Sequence, residues 1–377
     1  MYIYYPIILI IMLMYAALIL YYRAAWLRLH EESIPLHYSP STSLSIIIPA
    51  RNEAHNLPGL IKDIQAQLYP GKLVQIIVVD DHSDDDTQAV LQQFSNIHVI
   101  RLSEEIGVQK MNAYKKKAIE VAITHARGDW IVSIDADCSV GPYWLLSLAH
   151  TIETKNVRLI AGPVVYEKSS NWFETFQSLD FATMQGITGA VVSSGSGSMC
   201  NGANLAYSKI AFHKVKGFEG IDHIASGDDM LLMQKIETAY PGATFYLKCR
   251  HSIVNTQAVQ TISDFFRQRI RWASKAKYYK DKRIQWVLLL VYLFNFQFLF
   301  LCISSFFNWV DIQFLFLLLL FKTIIEWQLL SPVLDFFDRK KELKLFPFLQ
   351  VLHIPYIILS GMLGYVGIYT WKNRKVR

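Results

Sequence analysis

The sequence predicts an α/β domain with a mostly parallel sheet, flanked by transmembrane helices. Three observations predict this. Between Leu44 and Ile134, short β-branched runs alternate with helical stretches, the arrangement that builds parallel sheets. Long, nearly charge-free apolar runs stand toward both ends of the chain. The composition, 52% hydrophobic and 18% charged over 377 residues, is too apolar for a chain lying wholly in water.

Residues 1–22 are expected to form an N-terminal transmembrane helix, because Ile3 to Tyr22 carries no charge and meets the length of about 20 residues that a helix needs to cross the hydrocarbon layer. A cleaved signal peptide fits less well: the start lacks a basic region and no small-residue cleavage site follows. Arg23 and Arg28 lie just after the span, which by the positive-inside rule places the middle domain in the cytosol. The expected location is a bacterial inner (plasma) membrane. Residues 23–43 read as a linker, with Pro35 to Ser43 its most irregular part, and 44–283 as a cytosolic domain long enough to bury its own core.

Within that domain, Leu44 to Pro49 is a strand leading into a helix start at Asn52 and Glu53. Val74 to Val79 repeats the pattern, running into Asp80, Asp81, His82 and Ser83 and then a helix over Gln88 to Phe94. Ile97 to Leu102 and Trp130 to Ile134 are further strands. In such sheets the ligand lies beyond the carboxyl ends of the strands, where the acidic residues fall. Trp172 to Phe181 collects its aromatic residues on one helical side, which suits either the core or the bilayer surface. The Ser- and Gly-rich stretch Ser193 to Gly202 suits a surface loop or one that closes over a substrate.

Residues 284–371 are expected to hold about three spans, near Trp286–Phe307, Ile312–Leu330 and Phe348–Trp371, the last containing Pro355. Four spans with a cytosolic middle domain would put both termini outside, whereas the basic tail 372–377 prefers the cytosol, so one segment is expected to be re-entrant or interfacial. Lys322 and Glu326, four apart, can neutralise each other on one helix face. Cys138, Cys200, Cys249 and Cys302 lack metal-type spacing and face a reducing compartment, so they are read as packing residues. The net charge of +6 comes largely with basic residues beside apolar spans, which points to membrane headgroups and not to nucleic acid.

Three short segments carry chemistry. Asp135 and Asp137 end the fourth strand on one side of the extended chain, where two carboxylates can hold Mg²⁺ or Mn²⁺ or can simply be solvated turn residues. Asp228 and Asp229 precede an apolar helix at Met230 to Ile236, so one can cap it while the other serves as a general base. Gln268, Arg271 and Trp272 share one face of a basic helix that begins near Ser263. There an arginine can clamp a diphosphate and an indole can stack on a sugar, or the helix can bind anionic lipid.

Together and in this order, Asp135-Ala136-Asp137, Gly227-Asp228-Asp229 and Gln268-Arg269-Ile270-Arg271-Trp272 resemble the DxD, (E/G)DD and QxxRW motifs of the membrane-bound branch of glycosyltransferase family 2, related to cellulose, hyaluronan and ceramide glucosyl transferases. The resemblance covers Ser45 to Trp272 and implies a GT-A fold. It implies donor-binding residues at Pro49, Glu53, Asp81, Lys115 and Asp135, with Asp81 on the nucleobase and Asp80 shaping the turn. His82 and Tyr114 stand where the family has glycine, and Lys110 rivals Lys115 as the phosphate lysine. Arg127 and Gly128 also match. Asp137 and Asp135 are implied metal residues, Asp229 the base with Asp228 and Arg271 beside it in catalysis, and Asn204, Gln268, Arg271 and Trp272 the acceptor and diphosphate residues. His251 is a further metal candidate that reads more readily as structural.

The implied activity is inverting transfer of a hexose from a nucleotide sugar, by family habit a UDP-sugar, to a lipid or lipid-linked acceptor at the cytosolic membrane face, in glycolipid or polysaccharide biosynthesis. A processive polysaccharide synthase is the alternative, disfavoured by few spans and no FxVTxK gating loop after Trp272. A nucleotide-sugar-binding transporter or a non-catalytic subunit is the alternative of another class.

Overall fold

The structure is a computed structural model, and it describes residues 4–107, 111–195, 199–279, 281–307, 311–366, 369–371 and 374–376. The chain divides into two compact units. One comprises residues 29–167 and 191–257, the other residues 1–28, 168–190 and 258–377.

The first unit is built on strands β1 (Leu44–Ala50), β2 (Val74–Asp80), β3 (His98–Arg101), β4 (Trp130–Ser133), β5 (Cys138–Val140), β6 (Leu159–Ala161), β7 (Val164–Tyr166), β8 (Leu205–Ser208), β9 (Thr244–Tyr246) and β10 (Val254–Thr256). Seven of them form one sheet in the order β3-β2-β1-β4-β8-β6-β9. Strands β3, β2, β1 and β4 run parallel, β8 runs antiparallel to both of its neighbours, and β6 pairs in parallel with β9. The sheet is therefore mixed but mostly parallel. Strands β5, β10 and β7 make a second, three-stranded sheet. Ile46, Ile47 and Ile48 of β1 and Ile77, Val78 and Val79 of β2 are fully buried, as central strands covered on both faces require.

The chain enters β4 through Gly128, whose N–H donates to Ser45 Oγ at 2.9 Å. A Cβ at Gly128 would lie 2.5 Å from the Ser45 backbone nitrogen, so only glycine lets the two segments run this close. The chain before β1 is tied down by Glu153, on the helix Trp144–Thr154. Its carboxylate accepts from Tyr38 Oη at 2.7 Å, from Ser41 N and Oγ at 2.8 and 3.0 Å, and from Thr42 N and Oγ1 at 2.9 and 2.7 Å. Burial pushes the Glu153 pKa up, but these hydrogen bonds outweigh it and bring the pKa from 4.5 down to about 2. A folded-state value below the unfolded one gives stability that is fully present above pH 4.5 and is lost as pH falls toward 2. Glu153→Gln should lower Tm at neutral pH and flatten the acid limb of a Tm-against-pH curve. An acid limb identical to that of the wild type would dismiss Glu153 as the anchor.

The second unit is helical. Among the described residues, four of its helices are long and apolar enough to cross a membrane: Tyr5–Arg28, Lys282–Phe306, Ile312–Phe336 and Phe346–Tyr365. Each has 20 to 25 residues, the length that crosses a hydrocarbon layer. The expected span Phe348–Trp371 needs correcting. Its helix ends at Val366, already long enough to cross, and the alternating Tyr369–Trp371 pairs antiparallel with Arg374–Val376. Lys322 and Glu326 do pair, and further polar groups surround them. Gln350 bonds both, Tyr15 donates to Glu326, and His353 lies 3.4 Å from Lys322 Nζ. Trp172–Ser193 is a single 22-residue helix, in which Phe176, Leu179 and Phe181 are buried while Trp172 is 54% exposed.

Candidate active site

In the sheet unit, the carboxyl ends of β1, β2 and β4 gather the expected residues on one edge, because parallel pairing sets Ala50 level with Asp80, and Ser133 level with Ile47. Antiparallel β8 starts at that same edge, with Leu205 opposite Ser133, and so brings Gly202 to Asn204 there. Two loops are laced together beyond β1 and β2. Arg51 donates to the carbonyls of Asp81 and His82 at 2.9 Å each, Asn52 N to Ser83 Oγ at 2.9 Å, and Asp84 N to Asn52 Oδ1 at 2.9 Å. Asn52 and His82 both have positive φ, 55° and 54°. Asp80 shapes this turn by accepting from Ser83 N and Gln88 Nε2. Pro49, the last residue but one of β1, is half-buried. Glu53 accepts from Asn56 Nδ2 at 2.7 Å, and its own N–H donates to Thr87. Asp81 is buried, and its Oδ1 lies 2.9 Å from His82 Nδ1.

Next along the edge is a cluster of one cation and several carboxylates. Lys115, in the first turn of the helix Tyr114–His125, reaches Asp135 Oδ1 at 2.7 Å and Asp228 Oδ2 at 3.2 Å. Burial alone would lower the lysine's pKa, but Asp135, Asp228 and Asp229 together outweigh it and hold the ammonium well above its ordinary value. Gly227, at φ 78°, turns the chain so that Asp229 starts the helix Met230–Ala239. Asp229 is the cap: Oδ1 accepts from Met230 N at 2.7 Å, while Oδ2 accepts from Gly202 N at 3.2 Å. Asp137 follows Asp135 at the same turn and is half-buried. Among the described residues no three His, Cys, Asp or Glu side chains converge as a metal site.

One residue here escapes sequence reasoning. Lys116 is buried, and its Nζ donates to the carbonyls of Ile221 and Ile224 at 2.7 Å and of Ser226 at 3.1 Å, fixing the loop that delivers Gly227 and the two aspartates. Asn204 also needs correcting. It is 0% exposed, its Nδ2 donates to the Pro163 and Ser252 carbonyls, and its Oδ1 accepts from Trp144 Nε1, so the amide is used within the core. His251 is exposed, with its ring 5.0 Å from that of Tyr143. Lys110 lies outside the described residues, as do residues 196–198 of the Ser- and Gly-rich stretch.

In the helical unit, the third motif occupies the helix Ile262–Ala273, which starts at Thr261, whose Oγ1 accepts from Asp264 N. Gln268, Arg271 and Trp272 are half-buried on it. The buried member is Arg269, 2% exposed, whose guanidinium lies 2.8 Å from Asp180 Oδ2 and 4.3 Å from the centre of the Trp272 ring. Gln268 Oε1 accepts from Arg269, and Trp272 also packs beside Phe181 at 6.0 Å.

Residues 45–216 match the family described as glycosyl transferase family 2. Glycosyltransferase AglE of Haloferax volcanii is 25% identical over 230 residues, which are 60% of this chain and 71% of that protein. The undecaprenyl-phosphate 4-deoxy-4-formamido-L-arabinose transferase of Klebsiella pneumoniae is 30% identical over 113 residues, 28% of this chain and 32% of the relative. Among solved structures, mannosyltransferase PcManGT from Pyrobaculum calidifontis, in complex with GDP-Man and Mn²⁺, aligns with a TM-score of 0.56 at 15% identity. The alignment covers 96% of this chain and 98% of that one. The shared fold is the GT-A arrangement, a mostly parallel mixed sheet with helices around it.

Proposed function

We propose that this glycosyltransferase, whose residues 45–216 match glycosyl transferase family 2, carries out a single inverting displacement from a nucleotide sugar, a UDP-sugar in the first instance, to a lipid or lipid-linked hydroxyl acceptor at the cytosolic membrane face. The observation that carries the reading is the cluster of Lys115, Asp135, Asp228 and Asp229 at the carboxyl edge of the sheet. Asp229 takes the acceptor's hydroxyl proton. The acceptor oxygen forms its bond to the anomeric carbon from the face opposite the leaving group. The bond from that carbon to the diphosphate breaks, and the nucleoside diphosphate departs with the electron pair. Lys115 meets the charge that builds on the departing phosphates, a contribution strongest in the transition state. Pro49, Glu53 and Asp81 hold the nucleoside.

The donor set at Asp135 and Asp137 fits a hard divalent cation, Mg²⁺ or Mn²⁺. It is all oxygen and supplies few protein ligands, as expected where phosphates complete the shell. When bound, such an ion supplies countercharge for the diphosphate. Asp228, held by Lys115, orients the lysine. Arg271 we assign to the diphosphate, and Gln268 and Trp272 to the acceptor, on the motif resemblance. The four membrane-length helices and the relative that acts on undecaprenyl phosphate support the lipid acceptor.

The test measures nucleoside diphosphate release from a panel of UDP- and GDP-sugars by the protein in lipid, with and without Mn²⁺. We expect release with one donor class, raised by metal and by lipid acceptor. Asp137→Ala should abolish the metal response and lower release about a hundredfold or more. Metal-independent release by the wild type would overturn the role given to Asp137, and no release with any donor would favour a binding protein.

A further inference from the structure

His82 and Tyr114 are the two positions where aromatic side chains stand in place of the family's glycines. The folded chain brings these two rings together. Their centroids are 5.7 Å apart at 82°, an edge-to-face contact. His82 sits at φ 54°, a conformation that glycine adopts freely and other residues adopt at a cost. Its ring is fixed from two sides, by Asp81 Oδ1 at 2.9 Å from Nδ1 and by Tyr114. Tyr114 opens the helix that carries Lys115, so the pair joins the Asp81 turn to the start of the phosphate-facing helix. The His82 side chain keeps 31% of its surface exposed, so the ring still presents a face to solvent.

We propose that His82 and Tyr114 form an aromatic bracket that recognises the donor's nucleoside, with His82 aligning the Asp81 carboxylate through Nδ1 and presenting its ring to the planar base. The assignment rests on the donor edge described above. Histidine is a specificity-determining residue here, and Tyr114 positions it. A base stacked on an aromatic ring gains enough to change affinity about tenfold when the ring is removed.

The experiment measures binding of UDP and of GDP directly by titration, then donor KM and kcat, for wild type, His82→Gly, His82→Asn, Tyr114→Ala and the double variant His82→Gly/Tyr114→Ala. Glycine relieves the backbone at position 82, and asparagine tolerates it while keeping a hydrogen-bond donor, so neither should fail to fold. Each single variant should weaken the preferred nucleotide about tenfold, with the loss of kcat/KM appearing in KM. The double variant should be no weaker than the worse single one, as for two residues acting as a unit. Wild-type affinity in His82→Asn would overturn the bracket, as would a rise in Tm with unchanged nucleotide affinity in His82→Gly. Because nucleotide binding is read without turnover, failure of the assigned chemistry at Asp229 leaves this result separately readable.

Discussion

Asp229→Asn is expected to lower the rate of sugar transfer by about a thousandfold while leaving nucleotide affinity within a few-fold of wild type. General bases commonly contribute about a hundred- to ten-thousandfold, and asparagine cannot take the acceptor's proton. The substitution is also structurally mild. Asn is as good a helix cap as Asp, so the bond to Met230 N survives, while the contact to Gly202 N at 3.2 Å is exchanged and the attraction between Asp229 and the Lys115 ammonium is lost. Asp228→Asn makes the informative comparison, since Asp228 faces Lys115 and no helix depends on it as a cap. If Asp228→Asn loses more transfer than Asp229→Asn, the roles of the two carboxylates must be exchanged. If neither loses transfer, the displacement is not assisted by this pair. Single-turnover rates at saturating donor and acceptor provide the measurement, because they separate chemistry from product release.

Asp180→Ala should destabilise the protein by about 3–5 kcal/mol, the usual consequence of leaving one member of a buried ion pair alone. Asp180 faces Arg269 at 2.8 Å, His353 at 3.6 Å and Tyr356 at 3.4 Å, all within the helical unit. Burial pushes the carboxyl's pKa up, but Arg269 and then His353 outweigh it and hold the pKa below the usual value. Removing the carboxylate leaves the Arg269 guanidinium buried beside Phe265 and Trp272 with its countercharge gone. Loss of the motif helix's anchor should appear as a large drop in thermal stability in detergent. The double variant Asp180→Leu/Arg269→Met, which removes both charges and keeps the volume, should recover most of it. A double variant as unstable as the single one would mean that the helix depends on the charges themselves and not on their mutual neutralisation.

Of the four strands that sequence patterning predicts, β1, β2 and β4 are apolar runs buried on both faces, which makes them legible, whereas the edge strand β3 is mostly exposed and shows only as the short apolar stretch Val99-Ile100. Strands β5 to β10 are as short as β3 and β4, three or four residues each, and β8 and β10 pair with strands far away along the chain. The acidic residues of the site were legible because they sit at the ends of legible strands or before an apolar helix. Lys116 was not, because within Tyr114-Lys115-Lys116-Lys117 it reads as part of a solvated basic face, whereas its partners are backbone carbonyls more than a hundred residues later, separated by 105 to 110 positions. Asn204 misled for the converse reason: family position suggested an open site, while burial and three hydrogen bonds assign it to the core. Arg269 occupies an unnamed position inside its motif, and only the fold brings Asp180 to it.

The polar group among the candidate spans bears on how the molecule is made. Glu326 is satisfied by Lys322 on its own helix, by Tyr15 on the first and by Gln350 on the last. Gln350 lies 24 residues beyond Glu326, so at the usual pace of elongation it leaves the ribosome roughly 1–5 s later. During that interval the nascent third span has two buried ionisable groups, each costing about 2.5–3.5 kcal/mol in mid-membrane if left alone, and their i,i+4 spacing lets them neutralise each other first. In a polypeptide cut short before Gln350, Glu326 still has Lys322 and Tyr15 as partners but lacks the amide that bonds both members of the pair.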